Sequence, residues 1–431
     1  MTAITALIHH TKKRWFFAVP SLLLAILAAC SASPAPSPTT QPTDPPPTVE
    51  GSLIPNPVPT PGPSPTPLPP EINLPLILPT PTPVAPLPDL SKHSVALSEI
   101  IFDTFDGGSL PLSEAEDGRI LALQDAIRPI YDPAYGPASA GDWLDDSFVV
   151  LGYVSERGTP YAYPVNILNL HEIVNDTIEG VPVLVSYCPL CASGIIYDRR
   201  LDEMELVFGN TSALYESDMV MFDQQTGSYW FQVGGEALVG ELTGQRLTPL
   251  PSVMMPWGDW KRLHPDTLVL STETKIYPVA FYERNPFVGY QEIVNEGRFA
   301  FPVSDKVTAD KRLRPGDRVL AVRSSSEERA YLLEGSGLTV INDRLNGEPI
   351  VVLIDEGPAG AAFSAEVLGR ALIFQVAGET YVDNETGSTW DIAGRAVDGP
   401  LQGHQLQGLP TRTTFWFALV ASMPNIELYQ G

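Results

Sequence analysis

The sequence predicts a β-rich α+β protein, two tandem copies of one sheet-based domain with short helices. Three observations carry that prediction. Short runs rich in β-branched and aromatic residues, such as 148–154 and 181–187, recur between Gly, Pro, Asn and Asp turn signals. Apolar residues at helical spacing are confined to brief stretches, 167–174 and 257–263. The second half also repeats the first. Gly227-Ser228-Tyr229-Trp230 returns as Gly387-Ser388-Thr389-Trp390. Gly240, Leu242, Gly244, Leu247, Leu250, Pro251, Trp257 and Pro265 each recur 159 positions later. Upstream, Asn175-Asp176 and Gly180-Val181-Pro182 return as Asn342-Asp343 and Gly347-Glu348-Pro349. Chance does not keep so many glycines, prolines and tryptophans in register, so two copies of one fold are expected.

The chain opens with the three parts of a bacterial export signal. Lys12, Lys13 and Arg14 supply the positive end, and an apolar stretch runs from Trp15 to Leu27. Leu27-Ala28-Ala29-Cys30 looks like a lipobox. Residues 1–29 are therefore expected to be removed, leaving Cys30 to carry lipid and tie the protein to a membrane. That places the chain outside the cytoplasm, on the outer face of the cytoplasmic membrane or on an outer membrane where the host has one. Residues 31–90 hold 22 of the 44 prolines. Proline lacks the N–H and fixes φ, so residues 30–93 are expected to form an extended tether.

The globular part divides at sequence level into a first repeat, 94–300, and a second, 301–431. After an irregular lead-in with turns at Asp106-Gly107-Gly108 and Tyr131-Asp132-Pro133, residues 148–154 read as a strand. Residues 159–165 alternate weakly, and 167–174 form a short helix that carries His171. Strand 181–187 follows and delivers Cys188-Pro189-Leu190-Cys191 onto a turn. Ala192-Ser193-Gly194 then leads into Ile195-Ile196-Tyr197-Asp198, a strand rather than the helix of a thioredoxin-type site. Strands at 206–208, 220–222 and 229–233, a helix at 257–263 and a strand at 268–270 complete the first unit.

Cys188 and Cys191 are the only cysteines besides Cys30. Such a pair can close a structural disulfide, exchange disulfides with a partner, or offer two thiolates to copper or zinc. The repeat helps to separate scaffold from chemistry. Asn175 and Asp176 recur, which favours a turn or cap before a strand. Cys188, Cys191, His171 and Glu172 give way to Asp355, Pro358, Leu338 and Thr339. His171 is therefore expected to serve the pair as base or third ligand. Glu172, Asn175, Asp176, Asp198 and Met221 form a second tier. Met219 and Met221 share a strand face, where core packing competes with thioether ligation. His93, His264 and His404 belong to no motif.

The net charge of −25 argues against nucleic acid, which needs basic patches. A serine-hydrolase elbow, phosphate loop or dinucleotide fingerprint is absent from the sequence. Two readings remain: a thiol redox or soft-metal site with a redox or metal-donor protein partner, or a non-catalytic surface module braced by a disulfide.

Several stretches resemble a bacterial and archaeal family known only as domain-of-unknown-function family 3179. They are Tyr163-Pro164, His171-Glu172-Ile173-Val174-Asn175-Asp176, Tyr187-Cys188-Pro189-Leu190-Cys191, Ser217-Asp218-Met219-Val220-Met221-Phe222-Asp223, Trp257-Gly258-Asp259-Trp260 and Phe415-Trp416-Phe417. The chain departs from that pattern at Leu170, where Trp is expected, and at Ala192, where Gly is expected. The resemblance implies an exported or membrane-associated protein without an agreed activity. Some members are labelled selenoproteins, which implies redox use of the motif.

Overall fold

The computed structural model describes residues 85–333, 337–355 and 359–431. The export segment, Cys30, most of the tether and Pro358 lie outside them. Within them the protein is β-rich with a few short helices. Among the described residues no helix is long and apolar enough to cross a membrane.

β1 (Ile101–Asp103) and β2 (Ser109–Pro111) form a lead-in hairpin. β3 (Val149–Val154) and β4 (Pro160–Pro164) pair antiparallel and run into helix α1 (Val165–His171). A meander follows, of β5 (Ile173–Ile178), β6 (Val181–Cys188) and β7 (Ser193–Asp198). The next four strands are β8 (Phe208–Tyr215), β9 (Asp218–Asp223), β10 (Tyr229–Phe231) and β11 (Glu236–Val239). They extend the lead-in hairpin into a six-stranded sheet ordered β11-β10-β9-β8-β1-β2. β12 (Val253–Pro256) returns beside β3, α2 (Trp257–Leu263) packs on it, and β13 (Leu268–Leu270) lies parallel to β4.

After a connector at 271–317 a similar strand order follows, with no counterpart of α1 among the described residues. β14 (Arg318–Ser324) and β15 (Glu327–Leu332) pair as β3 and β4 do. β16 (Thr339–Leu345), β17 (Glu348–Ile354) and β18 (Gly360–Ser364) form a meander like β5-β6-β7. β19 (Phe374–Ala377), β20 (Thr380–Asp383), β21 (Thr389–Trp390) and β22 (Ala396–Asp398) form a four-stranded sheet. β23 (Thr411–Phe415), α3 (Trp416–Ser422) and β24 (Glu427–Leu428) then repeat β12, α2 and β13.

Side-chain bonds repeat as well. Trp230 Nε1 donates to Asp223 Oδ2 at 2.9 Å, and Trp390 Nε1 donates to Asp383 Oδ2 at 2.9 Å. Phe208 meets Trp230 edge-on, as Phe374 meets Trp390. Gly240 and Gly399 both take left-handed φ, +104° and +92°, with a Cβ position 2.7 Å from the Cα of Ser228 or Ser388. No other residue fits so close to a backbone, which explains why both positions are glycine.

The halves are not side by side, however. β7 of the first pairs with β23 of the second, inside an eight-stranded sheet whose main path is β24-β15-β14-β23-β7-β6-β5. The core is accordingly continuous across the halves. Trp230, Trp257, Trp260, Trp390 and Trp416 are all fully buried. Each contributes roughly 4–6 kcal/mol of apolar transfer free energy, as an upper bound.

Two local expectations change. The helix read over 167–174 starts earlier and stops at His171, because Glu172 takes φ +58° and Ile173 already belongs to β5. Asn175 and Asp176 lie within β5 rather than capping it. The Asn175 side chain exchanges two hydrogen bonds with the backbone of Phe208, at 2.8 and 2.7 Å, and Asn342 does the same with Phe374. Asp176 accepts from Tyr135, and Asp343 from Tyr331. Both residues therefore hold strands together in each half.

Candidate functional site

β6 ends on Cys188 and β7 opens on Ser193, and these two residues are partners in the ladder. Between them Pro189 sets φ for a tight turn, the Cys191 N–H reaches back to the Cys188 carbonyl, and Ala192 adopts φ +47°. The turn is therefore a β-hairpin end. Its outer side is backed by the second half, where Phe415 N donates to Cys191 O at 2.8 Å. The two cysteines are free thiols, both buried.

Asp218 is the side chain that gives the turn its chemistry. It opens β9, and its Oδ1 accepts from Cys191 Sγ at 2.8 Å while Oδ2 accepts from Val233 N at 2.9 Å. One ligand atom from each of Cys188, Cys191 and Asp218 falls within 4.8 Å of the others. Around them Ser193 Oγ donates to Gln232 Oε1, and Gln232 Nε2 donates to Ser186 Oγ. This buried polar network fixes the turn from below.

Burial dominates the electrostatics. It pushes the Asp218 carboxyl up to about 6, against hydrogen bonds from Cys191 and Val233. Burial also raises the Cys188 thiol, reinforced by the charges of Asp218 and Glu172. Cys191 is held well above the ordinary thiol range by burial, by its hydrogen bond with Cys188 and by the Asp218 charge. Both cysteines are consequently protonated at neutral pH, and a proton acceptor is needed to activate either.

A cavity of about 230 Å³ opens above Cys188 and Pro189. Cys188 lines it and Cys191 does not. Phe105, Tyr277, Phe287 and Phe301 supply aromatic walls. They come from the lead-in and the connector, two segments outside the repeated elements. Glu172 reaches the same cavity because its left-handed φ turns it off the end of α1, where helical geometry would have pointed it elsewhere. Asn210 Nδ2 donates to Glu172 Oε2 at 2.7 Å, and burial pushes the carboxyl up to about 8. Glu172, Ala192, Ser212 and Ser217 all have positive φ, so left-handed backbone surrounds the site. Each such residue costs on the order of 1–3 kcal/mol.

His171 stands apart from the sulfurs. Its Nδ1 lies 2.7 Å from Arg128 O, and since a carbonyl only accepts, Nδ1 carries the proton. Nε2 accepts from Tyr282 OH at 2.7 Å, so both ring nitrogens are engaged in the conformation seen here. Burial lowers its pKa to about 4. The convergent donor group contains Asp218 where the sequence reading had placed His171. Asp198 pairs with Arg200, Met221 is packed in the core, and Met219 lines the cavity. Asp218 and Asn210 were not singled out in the sequence. For Asp218 a signal existed: in the register that aligns Asp223 with Asp383, position 378 is glycine, so this carboxylate vanishes with the cysteines.

Residues 124–426 match the family described as "Protein of unknown function (DUF3179)". The chain belongs to that family. Neither the curated proteins nor the solved structures gave a match. Membership confirms the resemblance read from the motifs, and the stretches carrying Cys188, Cys191 and Asp218 fall within the matched region.

Proposed function

We propose that this DUF3179 protein is an extracytoplasmic lipoprotein whose Cys188/Cys191 pair carries out thiol–disulfide exchange. One observation carries the reading: the two sulfurs are unequal in their surroundings. Cys188 faces the cavity, whereas Cys191 sits beneath it with its thiol on a carboxylate. That is the arrangement in which an outer sulfur meets the substrate and an inner one resolves. In the oxidised protein, a substrate thiolate attacks Cys188 Sγ and the Cys188–Cys191 bond breaks. Cys191 leaves as thiolate and takes a proton from Asp218. A second substrate thiolate then attacks the substrate sulfur, forming the substrate disulfide and releasing Cys188. The substrate dithiol is oxidised and the protein pair reduced, and the reverse sequence balances equally. In that reverse direction Asp218 takes the proton from Cys191 as it attacks.

A second reading rests on the three donors within 4.8 Å. Two thiolates and a carboxylate would suit zinc, or copper(I) through the sulfurs, and a bound cation would favour the thiolate forms that burial disfavours. The remaining inferences support either chemistry. The repeated topology and bonds fit descent of both halves from one ancestral unit, the second keeping the frame without the site. Cys30 would hold the protein at the membrane, so a Cys30→Ala variant should be released or left unprocessed.

Titration of the full chain against graded dithiol/disulfide buffers, with metal content measured in parallel, tests the reading. An exchange-competent pair has a potential above about −300 mV. A pair locked below that value, with no metal bound, would identify a structural bridge and sink the proposal.

A further inference from the structure

Exchange with a dithiol substrate leaves the pair reduced, so turnover requires an oxidant that can reach Cys188. The cavity above that sulfur limits what the oxidant can be. Among the described residues its lining contains no lysine, arginine or histidine, while Asp103 and Glu172 both contribute to it. Oxidants that carry phosphates or carboxylates, including dinucleotides, flavin nucleotides and glutathione disulfide, find no basic side chain on that lining to pair with. Four aromatic side chains, Phe105, Tyr277, Phe287 and Phe301, surround the space, which suits a planar ring. At about 230 Å³ the cavity accommodates one such ring. The polar group beside Cys188 on this wall is the Glu172 carboxyl, with one oxygen held by Asn210. Burial keeps this carboxyl protonated at neutral pH, so it can donate to a carbonyl oxygen.

We infer that the cavity over Cys188 binds a neutral quinone, which the Cys188/Cys191 dithiol reduces to the hydroquinone. This inference rests on the thiol-exchange reading and names the oxidant that restores the disulfide. Cys188, as thiolate, adds to a ring carbon and forms a C–S bond, its proton passing to a quinone oxygen. Cys191 then attacks Cys188 Sγ, with Asp218 accepting its proton. The S–S bond forms, the C–S bond breaks, and the electron pair returns to the ring. The second proton reaches the other oxygen. Two thiols are oxidised to one disulfide, and one quinone gains two electrons and two protons. Glu172 supports the step by donating to the carbonyl that becomes negative.

The test uses duroquinone, whose four methyl groups leave no free ring position for a stable thioether. The full chain carrying Cys188→Ser and Cys191→Ser is titrated with it in detergent, with tryptophan quenching as readout. Saturable one-to-one binding is expected. Ala126→Trp, added to that protein at an exposed residue lining the cavity, should weaken binding by about tenfold or more while leaving the unfolding midpoint unchanged. The reduced wild-type chain should convert one equivalent of duroquinone to its hydroquinone and lose two titratable thiols. Absence of saturable binding, equal binding to the Ala126→Trp protein, or retention of both thiols overturns the assignment. Exchange with neutral 2-hydroxyethyl disulfide is followed in parallel. If the pair exchanges with it yet ignores duroquinone, only the quinone falls. Failure with both oxidants also removes the thiol-exchange reading.

Discussion

Asp218→Asn isolates the electrostatics of the site. In the wild type this carboxyl is fully buried with its pKa raised from 3.8 to about 6. A raised acid binds its proton more tightly in the folded than in the unfolded chain. Its contribution is therefore intact below pH 4, and folding weakens as pH rises from 4 to 6. A shift of about two units corresponds to roughly 3 kcal/mol. Asparagine keeps an oxygen to accept from Val233 N or Cys191 Sγ and removes the charge. The variant should gain about 3 kcal/mol relative to wild type between pH 4 and pH 7. It should also lower the Cys191 thiol pKa, since the Asp218 charge is one of the influences holding it up. Resolution by Cys191 should nonetheless slow by about 10²–10⁴-fold, because the proton acceptor is gone. Urea denaturation of both proteins at pH 4, 5, 6 and 7, reduced and with chelator, measures the stability difference. Trapping of mixed disulfide measures the rate. Parallel stability curves for the two proteins would refute the reasoning, since Asp218 would then titrate alike in folded and unfolded chains.

Other consequences are direct. A small neutral alkylating agent should modify Cys188 at least about tenfold faster than Cys191, because only Cys188 lines the cavity; equal rates by mass spectrometry would contradict the assigned order. His171→Ala should cost about 1–3 kcal/mol by removing the bonds to Arg128 O and Tyr282 OH, of which Tyr282 keeps Thr274, and leave the pH profile of thiol modification unmoved. His171 has its folded pKa depressed from 6.5 to about 4, so it weakens folding as pH falls through that window, a slope that the alanine variant should lose in a thermal melt series. Gly240→Ala and Gly399→Ala should each destabilise by about 1–3 kcal/mol, and unequal losses in calorimetry would argue against equivalent packing.

Much of this protein can be read along the chain because the signals are local. Strands at 149–154, 181–188 and 268–270, and the helix at 257–263, follow from β-branched runs, helical spacing and turn residues. The cysteine turn as a hairpin end follows from the strand pattern after Ala192, and the family from ordered motifs. The recurring glycines and tryptophans fall at matching turns and core positions, as Gly240 and Gly399 or Trp230 and Trp390 do, because each is tied to backbone conformation or core volume rather than to a partner.

Only the tertiary structure decided the rest. Whether His171 or Asp218 meets the sulfurs depends on where β9 lies beneath the β6–β7 turn, 27 residues from Cys191 in sequence. Periodicity says nothing about such a distance. Glu172 entered the cavity through one left-handed residue at the end of α1, which side-chain spacing on a regular helix cannot anticipate. The sharing of one sheet by the two halves, with Phe415 bonded to the Cys191 carbonyl, is likewise hidden, since an edge strand carries the same residues whichever partner completes its ladder. Sequence by itself determined which groups were available. Long-range strand pairing decided which of them share a buried, low-dielectric space, and the raised pKa values of the site follow from that burial.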